Sequence, residues 1–143
     1  MKLTDLAILD WVLINNTPHK IQAIDSIDAE ILADDDLYYV GEDRCHSEDK
    51  IEPIPLAPEI LEKNGFERGV VIPSNFYRNI DNERLIFSPH SSCYGLGYVH
   101  WNESNDADIM HRLEVQQPIM YIHQMQHALR LFGLNELADN FKV

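Results

Sequence analysis

His123 and His127 stand four residues apart in the run Tyr121-Ile122-His123-Gln124-Met125-Gln126-His127. On a helix that spacing projects both imidazoles from one face, as in zinc helices of the HExxH type. Gln124 occupies the position where such helices carry a glutamate. A glutamine takes no proton from a metal-bound water, so the hydrolytic base is missing. A metal here would need a third ligand, from His100, His111 or a carboxylate. The other reading has His123 bordering the core and hydrogen-bonding a strand backbone, with His127 at the surface.

Two cysteines, Cys45 and Cys93, raise a nucleophile reading through Cys45-His46 and His90-Ser91-Ser92-Cys93. A nucleophilic thiol needs a base within hydrogen-bond reach and a third group to orient it, and adjacency in sequence supplies neither. The expectation is two free thiols in a reducing compartment. Tyr94, Tyr98, His100 and Trp101 cluster near Gly95 and Gly97, which reads as sheet core or as an aromatic binding surface. With six glycines and no phosphate-cradling loop, nucleotide chemistry has no support.

The strongest signal is charge. The chain of 143 residues carries a net −13. From Asp25 to Glu52 there are eleven acids against two bases, Arg44 and Lys50. Such a field repels nucleic-acid backbones and anionic membranes and favours a basic protein surface. The residues expected to form this acidic face are Asp28, Glu30, Asp34, Asp35, Asp36, Glu42 and Asp43. A solvated loop, a docking surface and a nucleic-acid mimic all fit the composition. Calcium does not, because Gly41 and Glu42 fall out of the EF-hand register set by Asp34. No cofactor is called for. The apolar runs are shorter than the roughly 18 residues that span a bilayer, and no signal peptide is visible, so a cytoplasmic chain is expected.

The elements that must position these residues form an α+β chain. Residues 1–55 read as short strands with tight turns: Leu9–Ile14, His19–Ile24, Ile27–Leu32, Leu37–Val40 and Ile51–Ile54, with Asn15-Asn16 as a hairpin turn. That pattern predicts a small SH3-like β-barrel part with Trp11 inside it. Residues 56–143 read as a second α+β part. A short helix over Ala57–Asn64 ends at Gly65, with Phe66 placed to touch Leu61 in a Schellman stop. Strands follow at Val70–Ile72, Phe76–Ile80, Arg84–Phe87, Leu96–Trp101 and Ile109–Val115. A long C-terminal helix from Pro118 to Phe132 packs across the antiparallel sheet through Ile122, Met125, Leu129 and Phe132. The expected core also takes in Leu13, Ile21, Ile31, Ile60, Leu85, Phe87 and Val99.

The run Ile51-Glu52-Pro53-Ile54-Pro55-Leu56, then Pro58-Glu59-Ile60-Leu61-Glu62-Lys63-Asn64-Gly65-Phe66, together with the Tyr121–His127 run, resembles a family of small proteins carried by phages and prophages of gut Bacteroidetes. The resemblance takes in the strand around Trp11. It implies a mobile-element origin and a bacterial cytosolic setting, and it carries over no catalytic residue. The function expected is a non-enzymatic interaction protein that presents an acidic face to a basic partner. The alternatives are a nucleic-acid mimic that inhibits a DNA-binding enzyme, and a metal-binding protein or hydrolase built on His123 and His127.

Overall fold

A computed structural model describes residues 1–25, 30–33, 46–70, 72–81, 83–90, 93–100 and 113–143. Among the described residues the chain builds two antiparallel sheets with three short α-helices. Asn15 and Asn16 take φ of 52° and 63°, the left-handed pair that a two-residue hairpin turn requires. They join β1 (Trp11–Ile14) to β2 (Thr17–Asp25), with Ile14 opposite Thr17. β3 (Glu30–Ala33), β4 (His46–Ser47) and β5 (Ile51–Pro53) complete the first sheet in the order β4-β3-β2-β1-β5.

Among the described residues this sheet is open, and the expected barrel does not close. The two edges, β4 and β5, are two and three residues long. Closure requires edge strands that pair with each other in a staggered register, and strands this short have few backbone groups to do so. Pro53 and Pro55 then end the pairing of β5 with β1.

β1 faces two cores. Val12 and Ile14 point to one side and join Leu6, Ile21, Ile31, Ala33 and Ile51. Trp11 and Leu13 point to the other and pack against the C-terminal core. The expectation had Trp11 filling the N-terminal interior; the two-residue period of a strand puts it on the opposite face from Val12.

The second sheet is a meander ordered β10-β9-β8-β7-β6. Its strands are β6 (Glu67–Arg68), β7 (Phe76–Ile80), β8 (Glu83–His90), β9 (Cys93–His100) and β10 (Leu113–Ile119). The expected strand at 70–72 is absent among the described residues: pairing stops at Arg68, and Val70 is 96% exposed. The helices are α1 (Pro58–Lys63), α2 (Ile122–Leu131) and α3 (Asn135–Asp139). Leu61, Phe66, Phe76, Leu85, Phe87, Leu96, Ile119, Ile122, Met125 and Leu129 fill the core between sheet and helices.

Both longer helices end in a glycine stop. Phe66 N–H donates to Leu61 O at 3.0 Å and Gly65 N–H to Glu62 O at 3.0 Å. Leu134 N–H donates to Leu129 O and Gly133 N–H to Arg130 O, each at 2.9 Å. Gly65 and Gly133 take φ of 76° and 78°, which completes two Schellman motifs. The start of α2 differs from expectation. The C-terminal helix has ten residues and begins at Ile122, because residues 113–119 pair with β9. Pro118 falls within the register break between Val115 and Ile119, where its missing N–H costs no ladder bond. Gln124 then accepts from the Met120 and Tyr121 N–H groups at 2.8 and 3.2 Å and fixes the first turn of α2.

Candidate functional site

The polar side chains of α2 converge on the segment Leu9-Asp10-Trp11, just before and into β1. Gln126 and Arg130 sit one turn apart beside the apolar stripe, and His123 and His127 lie next to them on the same helix. Leu9 takes φ of 70°, and its N–H donates to Ile21 O at 2.8 Å. Asp10 follows with no exposed surface at all.

A buried carboxylate needs compensation for its lost hydration, and Asp10 has three donors. Oδ2 accepts from Ala7 N–H at 2.8 Å and from His127 Nε2 at 2.6 Å; Oδ1 accepts from Arg130 Nη1 at 2.7 Å. Arg130 reaches further, donating from Nε and Nη2 to Asp139 Oδ1 at 3.2 and 3.0 Å. Burial alone pulls the Arg130 guanidinium down, but hydrogen bonding and charge from Asp10, then Asp139, outweigh it and hold it above its ordinary range.

Gln126 makes the neutral half of this seam. It is fully buried, accepts from Trp11 N–H at 3.0 Å, and donates to Leu9 O and Ala138 O at 2.9 Å each. Trp11 Nε1 donates to Phe141 O at 2.7 Å, and Lys20 Nζ to Asp139 O at 2.6 Å. The seam therefore ties β1 and β2 to α2, α3 and the tail through side chains that bond one another and the main chain.

His127 shows the arrangement of an oriented base: a carboxylate accepts from Nε2, which leaves Nδ1 as the second nitrogen. Among the described residues no hydroxyl or thiol hydrogen-bonds it, so a nucleophile is not assembled there. His127 is not a free surface residue, because its bond to Asp10 anchors it. His123 is 5% exposed, stacked on Tyr121 with ring centroids 5.8 Å apart and edge-on to His127 at 6.1 Å. Its Nδ1 is buried without a hydrogen-bond partner. Burial, with the neighbouring His127 assisting and Asp10 opposing, holds His123 below its ordinary value of 6.5. Among the described residues no group of three or more His, Cys, Asp or Glu side chains could hold a metal ion.

Of the expected acidic face, Glu30 opens β3, half-buried, opposite Ser47 and Asp25. Asp28, Asp34, Asp35, Asp36, Glu42 and Asp43 lie outside the described residues, as do Cys45, Trp101 and His111. Cys93 pairs with His90 in the β8–β9 ladder, where the backbone register brings them together without showing any thiol chemistry.

Asp10, Gln126, Arg130 and Asp139 were not singled out from sequence. One signal was available: Gln126 lies on the edge of the apolar stripe formed by Ile122, Met125 and Leu129, where a polar residue must find partners. Two of its partners, Trp11 N–H and Leu9 O, are 115 and 117 positions away and have no local signature. Comparison with protein-family models, curated proteins and solved structures finds no match for this chain. Among the described residues no helix is long and apolar enough to cross a membrane.

Proposed function

We propose that this chain is a non-enzymatic binding protein that offers the acidic segment between β3 and β4 to a basic protein surface. The observation that carries this reading is the concentration of charge: eleven acids against two bases between Asp25 and Glu52. The groups best suited to chemistry, Asp10, His127 and Arg130, are bonded to one another. The resemblance to phage and prophage proteins fits an accessory role of this kind. A strongly negative surface speeds encounter with a basic partner and makes binding sensitive to salt.

The test is affinity capture from a bacterial lysate at low and high salt. Wild type is compared with a variant in which Asp34, Asp35, Asp36 and Asp43 become Asn and Glu42 becomes Gln. The expected result is a basic partner held at low salt, released at high salt and not captured by the variant. A DNA-processing enzyme in that position would narrow the reading to a nucleic-acid mimic. A partner captured equally by wild type and variant removes the acidic segment from the function. The competing reading, a histidine-held metal, requires stoichiometric zinc or nickel in the purified untagged chain, lost in H123A and H127A.

A further inference from the structure

Behind the C-terminus of α1 lies an open cavity of about 660 Å³ whose lining includes Lys63, Arg78, Lys142, Asn64 and Glu136. That volume is within the usual range for small-molecule sites, roughly 300–1,000 Å³. In a chain with 24 acids and 11 bases, three cations against one carboxylate is a local reversal of the overall charge.

Arg78 is the unusual member. It leaves β7 half-buried and donates from Nη1 to Asn64 O, the carbonyl of the α1 C-cap. Among the described residues no carboxylate pairs with it. Burial pushes its guanidinium below its ordinary range. One main-chain carbonyl satisfies one of five N–H donors and none of the charge.

The walls are fixed. Asn64 is 6% exposed and donates to Ile60 O at 2.7 Å and Lys142 O at 2.8 Å, while its Oδ1 accepts from Lys142 N–H at 2.7 Å. These bonds hold the tail that brings Lys142 to the rim. Lys63 donates to the main-chain oxygen of Val143. A Cβ at Gly65 would touch the guanidinium, 3.4 Å from Arg78 Nη1.

From this geometry we infer that the cavity binds a small organic molecule through an oxyanion group, a phosphate or a carboxylate, received by Arg78 and by Lys142 at the rim. A planar guanidinium presents paired N–H donors that match either anion, and a lysine adds a mobile point charge. The anion supplies the charge that the fold leaves out.

The probes are inorganic phosphate and acetate, titrated separately into the full chain at constant ionic strength set with chloride. The readout is the NMR resonance of Arg78 Nε–H together with the Gly65 and Gly133 amides. Saturable shifts at these positions are expected with at least one probe, and the tighter probe identifies the group. Replacing the guanidinium in R78Q weakens binding about 10-fold or more, the scale of a lost charged hydrogen bond. K142Q, an exposed change that leaves the fold intact, weakens it about 3-fold, the scale of an exposed charge contact. Absence of saturable shifts with both probes overturns the inference. So does affinity in K142Q, or in a folded R78Q, equal to wild type.

Discussion

Arg130 and Arg78 are both half-buried arginines beside the end of a helix, yet their surroundings treat the charge in opposite ways. Arg130 meets two carboxylates, Asp10 and Asp139, and is held above its ordinary range. Arg78 meets a main-chain carbonyl and is pushed below it. The first region closes on itself: His127 and Arg130 both bond Asp10, and Gln126 bonds the main chain of Leu9, Trp11 and Ala138. The second leaves a cation facing a cavity. The contrast teaches that neither burial nor residue type marks a site; what matters is whether the fold completes the pairing. The His-Asp pair looks like machinery and acts as a clamp, whereas the cavity beside α1 has no sequence motif at all.

The largest effect is expected at the clamp. D10A strands Arg130 and His127 without their shared acceptor and should lower stability by about 3–5 kcal/mol in equilibrium urea unfolding. A loss near zero would make Asp10 dispensable and erase the contrast. Q126L leaves Trp11 N–H, Leu9 O and Ala138 O without their side-chain partner and should cost about 2 kcal/mol by the same measurement.

His123 gives the seam a pH dependence with a definite sign. Its folded-state value lies below 6.5, so the unfolded chain binds the extra proton first. This residue's contribution to stability is fully present above pH 6.5 and is lost as pH falls from there through the depressed folded value. Urea midpoints at pH 8 and pH 5.5 should therefore differ more in wild type than in H123F. An unchanged pH slope in H123F would show that His123 protonates freely in the fold.

The smallest effect separates the two helix stops. Gly65 and Gly133 share nearly the same φ, but a Cβ at Gly133 meets nothing within 4 Å while one at Gly65 touches Arg78. G133A and G65A should each cost about 1 kcal/mol for the left-handed backbone. Only G65A should move the Arg78 Nε–H resonance. Equal spectra at Arg78 would detach Gly65 from the cavity.

Much of the fold was legible where its cause is local. Asn15-Asn16 and the two glycine stops reveal themselves because a positive φ restricts residue choice within a few positions. Phe76–Ile80 was legible as a strand for a similar reason, bounded by polar turn residues. The start of α2 was not, because Pro118 suits a helix N-terminus and a strand irregularity equally well; pairing with β9 decided it. The face of Trp11 was misassigned because β1 is covered on both sides, so alternation marks no solvent face. The clamp was invisible because Asp10 and Arg130 are 120 positions apart. Of the candidate site, the sequence offered His123 and His127 but not the carboxylate that determines what His127 does.

The measurement that tests the account most directly is equilibrium urea unfolding of R130Q and R78Q side by side at neutral pH. R130Q leaves the fully buried Asp10 carboxylate short of a cation and should lose about 3 kcal/mol. R78Q removes a half-buried charge that no carboxylate balances among the described residues and should stay within about 1 kcal/mol of wild type. Equal losses in the two variants would contradict the division between a clamp at Asp10 and a binding cavity at Arg78.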